Sequence, residues 1–329
     1  MSNRDAVGVA FQGDIATKNA TMAAWPQVTS ESLAPTRDTL SIDETTGTRA
    51  PEDIDLGAKS YAGSIDGAAR PASFPYFVTG AMGYPGSTAP AAGVGLHTWD
   101  PLAAGKSPVP LSIMTINNDP DTPVVDLFYG CMVDSLEMSV EPNDYLMFKA
   151  AMIAIGLDDT QSAPSITRDA TSKFRFSQVT AQISVNGVAL ADIDLARFAC
   201  TYGNSMDPDE PSLGSTEIDD IKEGNISVGC SFTPKDGLSE HYRRVLKDSP
   251  DAVRIVVKAT GAMIGETEYP YYVEWDIKKL RYTDAPMDIN ASSVTKSIDV
   301  TASGVYDAVS GQVVVVKIQN ATAGYSAPS

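Results

Sequence analysis

Apolar and polar residues alternate with a period of two through most of this chain, the spacing of a β-strand with one buried face. Leu136, Met138 and Val140 alternate with Ser135, Glu137 and Ser139, and Val179, Ala181, Ile183 and Val185 alternate with Gln178, Thr180, Gln182 and Ser184. Tyr271, Val273, Trp275 and Ile277 do the same against Tyr272, Glu274, Asp276 and Lys278. The EPND turn after Val140 leads into YLMFKAAMIAI, so these two runs form a hairpin. Its second strand is apolar on both faces, as expected of a strand buried on both sides or covered on one by a neighbouring chain. Asn186-Gly187 closes the Gln178–Val185 strand, and VRIVVKA, SSVTKSIDV and QVVVVKIQN read as further strands.

Two short helices interrupt the series. Ser73 as N-cap, Pro75 in the first turn, apolar Phe74, Phe77, Val78 and Met82, and Gly83 as the stop predict an amphipathic helix. A strand with Ile54, Leu56, Tyr61 and Ile65, broken by Gly57, Gly63 and Gly67, precedes it. An offset of 167 residues, Asp53 to Asp220, brings Ile54 onto Ile221, Gly57 onto Gly224, Ser60 onto Ser227 and Ser64 onto Ser231. There Ile226, Val228, Cys230 and Phe232 are expected to face inward, and a second helix follows from Ser239 with Tyr242, Val245 and Leu246 as its apolar residues. The offset is about half of 329 residues, so the chain reads as a duplicated domain. The alternative is a chance likeness between two serine- and glycine-rich strands. The aperiodic stretch 157–172 marks the boundary, giving units at 1–160 and 161–329. In the first, residues 1–52 read as an arm with edge strands, Leu40 and Ile42 among them, and 84–110, rich in Gly, Pro and Ala, as a long loop.

The side-chain inventory argues against catalysis. None of the P-loop, GxGxxG, GxSxG and HExxH patterns occurs. The two histidines, His97 and His241, read as a loop residue and a helix-surface residue, and Cys131, Cys200 and Cys230, without CxxC spacing, as buried free thiols. Asp119-Pro120-Asp121 and Asp207-Pro208-Asp209-Glu210 offer carboxylates to calcium, but without the spacing of a calcium loop they also fit solvated turns. No cofactor or metal is expected. A net charge of −18 opposes wrapping or reading nucleic acid, yet suits a surface along which DNA slides without sticking. No run is long and apolar enough for a membrane span, and the start lacks a signal-peptide pattern, so synthesis in a cytoplasm is expected. Strand edges left unpaired would add to a second copy; a monomeric β-sandwich with protected edges is the other possibility.

VGVAFQGDIATKNATMAAWPQVTSESLAP at the start, SYAGSIDGAARPASFPYFVTGAMG, YGCMVDSLEMSVEPNDYLMFKAAMIAIG and the closing GVYDAVSGQVVVVKIQN resemble the major tail tube proteins of long, non-contractile-tailed bacteriophages. The resemblance implies a mainly β chain of two tandem tube-type β-sandwich or barrel domains, each with one short flanking helix, whose hairpins contribute to a central oligomeric barrel. It implies stacked rings of six tube domains, hence three chains per ring with pseudo-sixfold symmetry, a hexamer being the other option. It also implies tape-measure, tail-terminator and tail-tip proteins as partners, assembly in the host cytoplasm into the virion tail, and DNA passing through the lumen without specific binding. Ser135, Glu137, Ser139, Gln178, Thr180 and Gln182 are then the expected lumen-lining residues. A contrasting reading is an acidic β-sandwich binding module, an adhesin or carbohydrate binder, using Trp99 and Tyr84 in loops.

Overall fold

The computed structural model describes residues 5–40, 55–103, 105–117, 123–236, 238–247, 251–288 and 297–328. The readings made for Ile42, Asp53, Ile54, Asp119-Pro120-Asp121 and the start of SSVTKSIDV lie outside these residues. In the first half run β1 (Ala6–Phe11), β2 (Val28–Glu31), β3 (Ala34–Leu40), β4 (Asp55–Ala68), helix α1 (Phe74–Met82), β5 (Gly86–Ala91), β6 (Val94–Trp99), β7 (Leu111–Asn117), β8 (Val124–Val140), β9 (Met147–Ala154) and β10 (Gly156–Asp158). In the second run β11 (Val179–Val185), β12 (Ala191–Asp192), β13 (Leu195–Gly203), β14 (Asp207–Pro208), β15 (Ile221–Lys222) and β16 (Ser227–Pro234). Helix α2 (Leu238–Val245), β17 (Val253–Met263), β18 (Pro270–Asp284), β19 (Met287–Asp288), β20 (Ser297–Ile298), β21 (Val300–Gly304) and β22 (Val314–Asn320) complete it. The protein is mainly β, as the period of two requires.

The ladders of the two halves follow one order, all antiparallel. In the first, β1 pairs with β7, β7 with β8, β8 with both β9 and β10, and β9 with β4, whose other edge takes β2 and β3. In the second, β11 pairs with β17, β17 with β18, β18 with both β21 and β22, and β21 with β16, whose other edge takes β13. β8 and β18 hold the same place: each is long, is bulged near its middle, and passes from one set of partners to another. Two further ladders tie the halves together, β8 with β13 and β6 with β22. One hydrophobic cluster draws on both sides of residue 160, from Val7, Phe77 and Phe148 to Phe232, Trp275 and Ile318.

Helix α1 has the bounds its end signals predict, with Ser73 as N-cap, a proline in the first turn and Gly83 as C-cap at φ 84°, its N–H donating to Thr79 O. Amphipathicity is where the expectation fails: every α1 residue but Tyr76 is buried. The hairpin β5–β6 and the C-terminal segment pack on the side that would otherwise face water, Trp99 Nε1–H donating to Thr79 Oγ1 at 3.2 Å and Tyr325 meeting Tyr76 edge-on. That hairpin lies within 84–110, read from sequence as a loop. Local period is weak there, and what holds the strand is the β6–β22 ladder, Trp99 opposite Val316 and Gly95 opposite Asn320. Gly95 is needed for the approach, since a Cβ there would stand 1.9 Å from Thr322 O.

Of the three apolar residues named for helix α2, only Val245 packs against the core. Tyr242 and Leu246 are exposed, while His241 and Arg244 are buried. Tyr282 explains this: its ring stacks on His241 at 5.8 Å and its hydroxyl donates to Nδ1 at 2.9 Å, while Arg244 ion-pairs with Glu240 and Asp251. Burial, reinforced by the Arg244 charge, pushes the His241 pKa down to about 4. Below the ordinary value of 6.5 the unfolded chain therefore takes up a proton that the folded protein refuses. Stability is expected to fall as pH drops from 6.5 towards 4, by about 3 kcal/mol at ~1.4 kcal/mol per pH unit. Urea melts at pH 7 and pH 5 measure this, and His241→Gln should flatten most of the slope; an unchanged slope would show that His241 is not its source.

Candidate functional surface

Where β8 meets β13 the sheets of the two halves become continuous, with Ser135 opposite Gly203, Glu137 opposite Thr201 and Ser139 opposite Ala199. Alternation along these strands sorts side chains between two faces. The inner face carries Leu136, Met138, Phe198, Cys200, Tyr202, Val228, Cys230 and Phe232, all buried. The outer face can be followed strand by strand across the ladders. Through Glu137 runs the row Asp66, Lys149, Glu137, Thr201, Gly229, Ser303, Arg281. Through Ser139 runs Met147, Ser139, Ala199, Ser231, Thr301, Asp284, and through Ser135 runs Ser64, Ala151, Ser135, Gly203, Ser227. Across both halves this face is built mainly of serine, threonine, glycine and alanine.

Such a surface offers short hydroxyls and backbone to water and little for a ligand to grip. Its charges alternate: Asp66 and Glu137 each lie opposite Lys149, and Arg281 closes the same row. The chain's acidity is concentrated elsewhere. Between Asp207 and Glu223 seven carboxylates stand with one lysine, in the segment that joins β13 to β16. That segment folds back onto the first half. Lys59 N–H donates to Thr216 O at 2.8 Å, Tyr61 OH donates to Glu217 Oε2 at 2.8 Å, and Met206, Ile218 and Ile221 pack with Met132 and Ile155. It is anchored at its start by Asn204, which is buried and donates to Ala81 O and Val133 O, both at 2.9 Å. Asp207–Pro208 forms β14 against β15, and Lys222 pairs with Asp209 at 2.7 Å, so the acidic run Asp207–Glu210 is held by a short ladder and an ion pair.

The six residues read from sequence as lumen-lining fall in two places. Ser135, Glu137 and Ser139 are half-buried on the face just described. Gln178, Thr180 and Gln182 lie on β11 and the turn before it, beside β17 and β12. From β8 the ladders reach β11 through β13, β16, β21, β18 and β17, so the two sets lie on different strands, although Val140 and Glu141 at the end of β8 line the same cavity as Thr180 and Ala181. The glutamines also serve their own neighbourhood: Gln178 Oε1 accepts from Arg175 N at 2.8 Å, and Gln182 Nε2 donates to Asp192 Oδ1 at 2.9 Å. Thr180 lies opposite Lys258, which begins a cross-strand charge ladder of Lys258, Glu274 and Lys317 with separations of 3.8 and 2.8 Å. Sequence reasoning missed the β8–β13 junction itself, because no local signal announces the pairing of strands so far apart.

The residues set aside for other chemistry are structural. His97 is buried in β6; its Nε2–H donates to Asn320 Oδ1 at 3.1 Å and Thr322 O at 3.0 Å, while Nδ1 accepts from Ser87 Oγ at 2.8 Å. Burial outweighs those bonds and lowers its pKa. Neither histidine is the loop or surface residue expected, and each is held in a neutral hydrogen-bonding role. Trp99 is fully buried and Tyr84 half-buried, so the aromatic pair that a carbohydrate-binding reading relies on does not form a stacking platform. All three cysteines are buried, with Cys200 and Cys230 directly opposite each other and their sulfurs 2.9 Å apart. Among the described residues no helix is long and apolar enough to cross a membrane.

A family model described as phage tail tube protein matches residues 2–263. No curated protein matches the sequence.

Proposed function

The chain belongs to the phage tail tube protein family, a structural component of the phage tail, and on that premise we propose that three copies close into a ring whose stack is the channel for the genome. The observation that carries this reading is the continuous sheet across β8 and β13, because it joins two units of like pairing order edge to edge within one chain. If each half is one tube-type unit, three chains supply six. The boundary near residue 160 then divides them by strand order, while a shared core and the β6–β22 ladder weld them into one rigid building block. Electron microscopy with rotational averaging, combined with native mass spectrometry of rings released from tubes, should give three chains and pseudo-sixfold density; six chains per ring would overturn the stoichiometry.

In this reading the serine- and threonine-rich outer face lines the lumen, with Ser135, Glu137 and Ser139 on it. Gln178, Thr180 and Gln182, on the sheet of β11 and β17, are not assigned to the lumen. Short hydroxyls keep water at the wall, and the interleaved charges of Asp66, Lys149 and Glu137 leave no basic track for phosphates to bind. During assembly the same channel would hold a tape-measure protein, and the tube would form in the host cytoplasm.

Replacing Ser135 and Glu137 with lysine would create such a track beside Lys149. Tubes are expected to form normally, while genome release, followed with a DNA-binding dye, slows several-fold and recovers as salt is raised. Unchanged release from phages whose tubes carry both lysines would remove this face from the lumen.

A further inference from the structure

The chain contains one example of the junction that a ring has to repeat, and its register specifies the other. Across the offset of 167 residues, the buried Tyr61 and Ile65 of β4 correspond to the buried Val228 and Phe232 of β16. Ser60 then corresponds to Ser227 and Ser64 to Ser231. Each carries its partners along. Thr36 lies opposite Ser60 as Gly203 lies opposite Ser227. Asp284 lies opposite Thr301, which faces Ser231, as Ser135 lies opposite Ala151, which faces Ser64. The pair that forms the internal junction, Ser135 with Gly203, therefore has Asp284 and Thr36 as its counterparts.

Those counterparts do not meet within the chain. Among the described residues β3 pairs with β4 alone, and Ala34–Leu40 is exposed throughout. The ladder of β18 with β17 stops at Leu280, and among the described residues no strand pairs with Asp284 on the side away from β21. β19 and β20 extend the β18–β21 hairpin in the same register, so that edge reaches Asp288. Among the described residues each copy thus offers two different edges without a paired strand, one around Thr36 and one from Asp284 to Asp288.

We infer that the β2–β3 edge of one copy, from Glu31 to Thr36, adds antiparallel to the β18–β19 edge of a second copy with Thr36 opposite Asp284. The inference rests on the ring reading and supplies its interchain contact. The contact is heterologous, one edge meeting a different one, so copies join head to tail and close where the rotation allows. Internal and interchain junctions then alternate around one barrel, and backbone hydrogen bonds supply the attraction.

The test is a full-length chain carrying Thr36→Cys and Asp284→Cys, assembled into tubes, oxidised mildly and run on a non-reducing gel. Directly opposite residues bring Cβ atoms to about 4.5–5.5 Å, within reach of a disulfide after slight adjustment or of a short bis-maleimide. The native cysteines are buried and give little background. Expected are covalent dimers and trimers that need both substitutions, with trimer as the ceiling for a closed ring of three. Tubes that form but do not cross-link, or that cross-link with Thr36→Cys alone, overturn the junction and leave the ring reading standing; wild-type protein that makes no rings overturns both. If the double variant does not assemble, singly substituted chains are mixed. Heterodimers without homodimers then support the pairing, and their absence refutes it.

Discussion

Asp276→Asn is expected to lower stability by about 3 kcal/mol, the lower end of the range for breaking a buried ion pair. Asp276 sits in the middle of β18 between Val256 of β17 and Val315 of β22, and its side chain is 2% exposed. Burial alone would raise its pKa; Arg254 and Lys278 outweigh burial and hold it below the usual carboxylate value. Arg254 binds it through Nε and Nη2, each at 2.8 Å, and the Lys278 ammonium caps the same carboxylate. The amide leaves two cations facing each other without an anion. Arg254 is 40% exposed and relaxes into water, which is why the lower end applies. The triple replacement Arg254→Met, Asp276→Leu and Lys278→Met should be near neutral, because apolar groups of similar volume avoid the cost of burying charge. For the wild type the depressed pKa means that this stabilisation is present above the unfolded value of about 3.9 and is lost as pH falls through the lower folded value. Urea unfolding at pH 7 and pH 3 should therefore show the wild type and Asp276→Asn converging in acid. A loss below about 1 kcal/mol at pH 7 would mean that solvent already screens the cluster.

The largest effect is expected at Trp99→Ala, about 4 kcal/mol, within the range for truncating a buried aromatic. Trp99 is fully buried where three separate parts of the chain meet: α1 through Thr79, β22 through Val316, and the C-terminal segment through Tyr325, whose ring lies 6.1 Å away. Its removal leaves a cavity against α1 and frees the Thr79 hydroxyl. The segment after Asn320 should loosen too, because Tyr325 loses one of its aromatic neighbours while its bond to Asn320 remains. Limited proteolysis should cut the variant C-terminal segment faster than the wild type, and calorimetry should record the lower Tm. Trp99→Phe should cost less than half as much. A truncation that lowers stability without exposing that segment would show that the tail is held by Asn320 and His97 instead.

Sequence reasoning succeeded where a local pattern decides the outcome. The alternation around Leu136 and Met138 placed Ser135, Glu137 and Ser139 on the opposite face, and Ser73, Pro75 and Gly83 bounded α1. It failed where a distant partner decides. The strand at Val94–Trp99 hides in a stretch rich in Gly, Pro and Ala because its partner lies more than two hundred residues downstream. The inward side of α2 holds His241 and Arg244 beside Val245 rather than Tyr242 and Leu246, because Tyr282 and Asp251 partner the histidine and the arginine. Alternation puts Asp276 on the face opposite Trp275 but cannot see the arginine across the ladder that lets it be buried there. For the functional surface, the polar positions on each strand followed from alternation alone. Which strands lie side by side did not, because a strand's period says nothing about its partner.

The seventeen residues of β8 carry a mechanical consequence. One end is flanked by β7 and β10 and the other by β9 and β13, so strands hold it along both edges over most of its length. Antiparallel hydrogen bonds stand across the strand direction. A pull along β8 therefore strains them together, in shear, whereas a peeling force would break them one after another. A wall made of such members resists stretching along the strands and gives most easily at their ends.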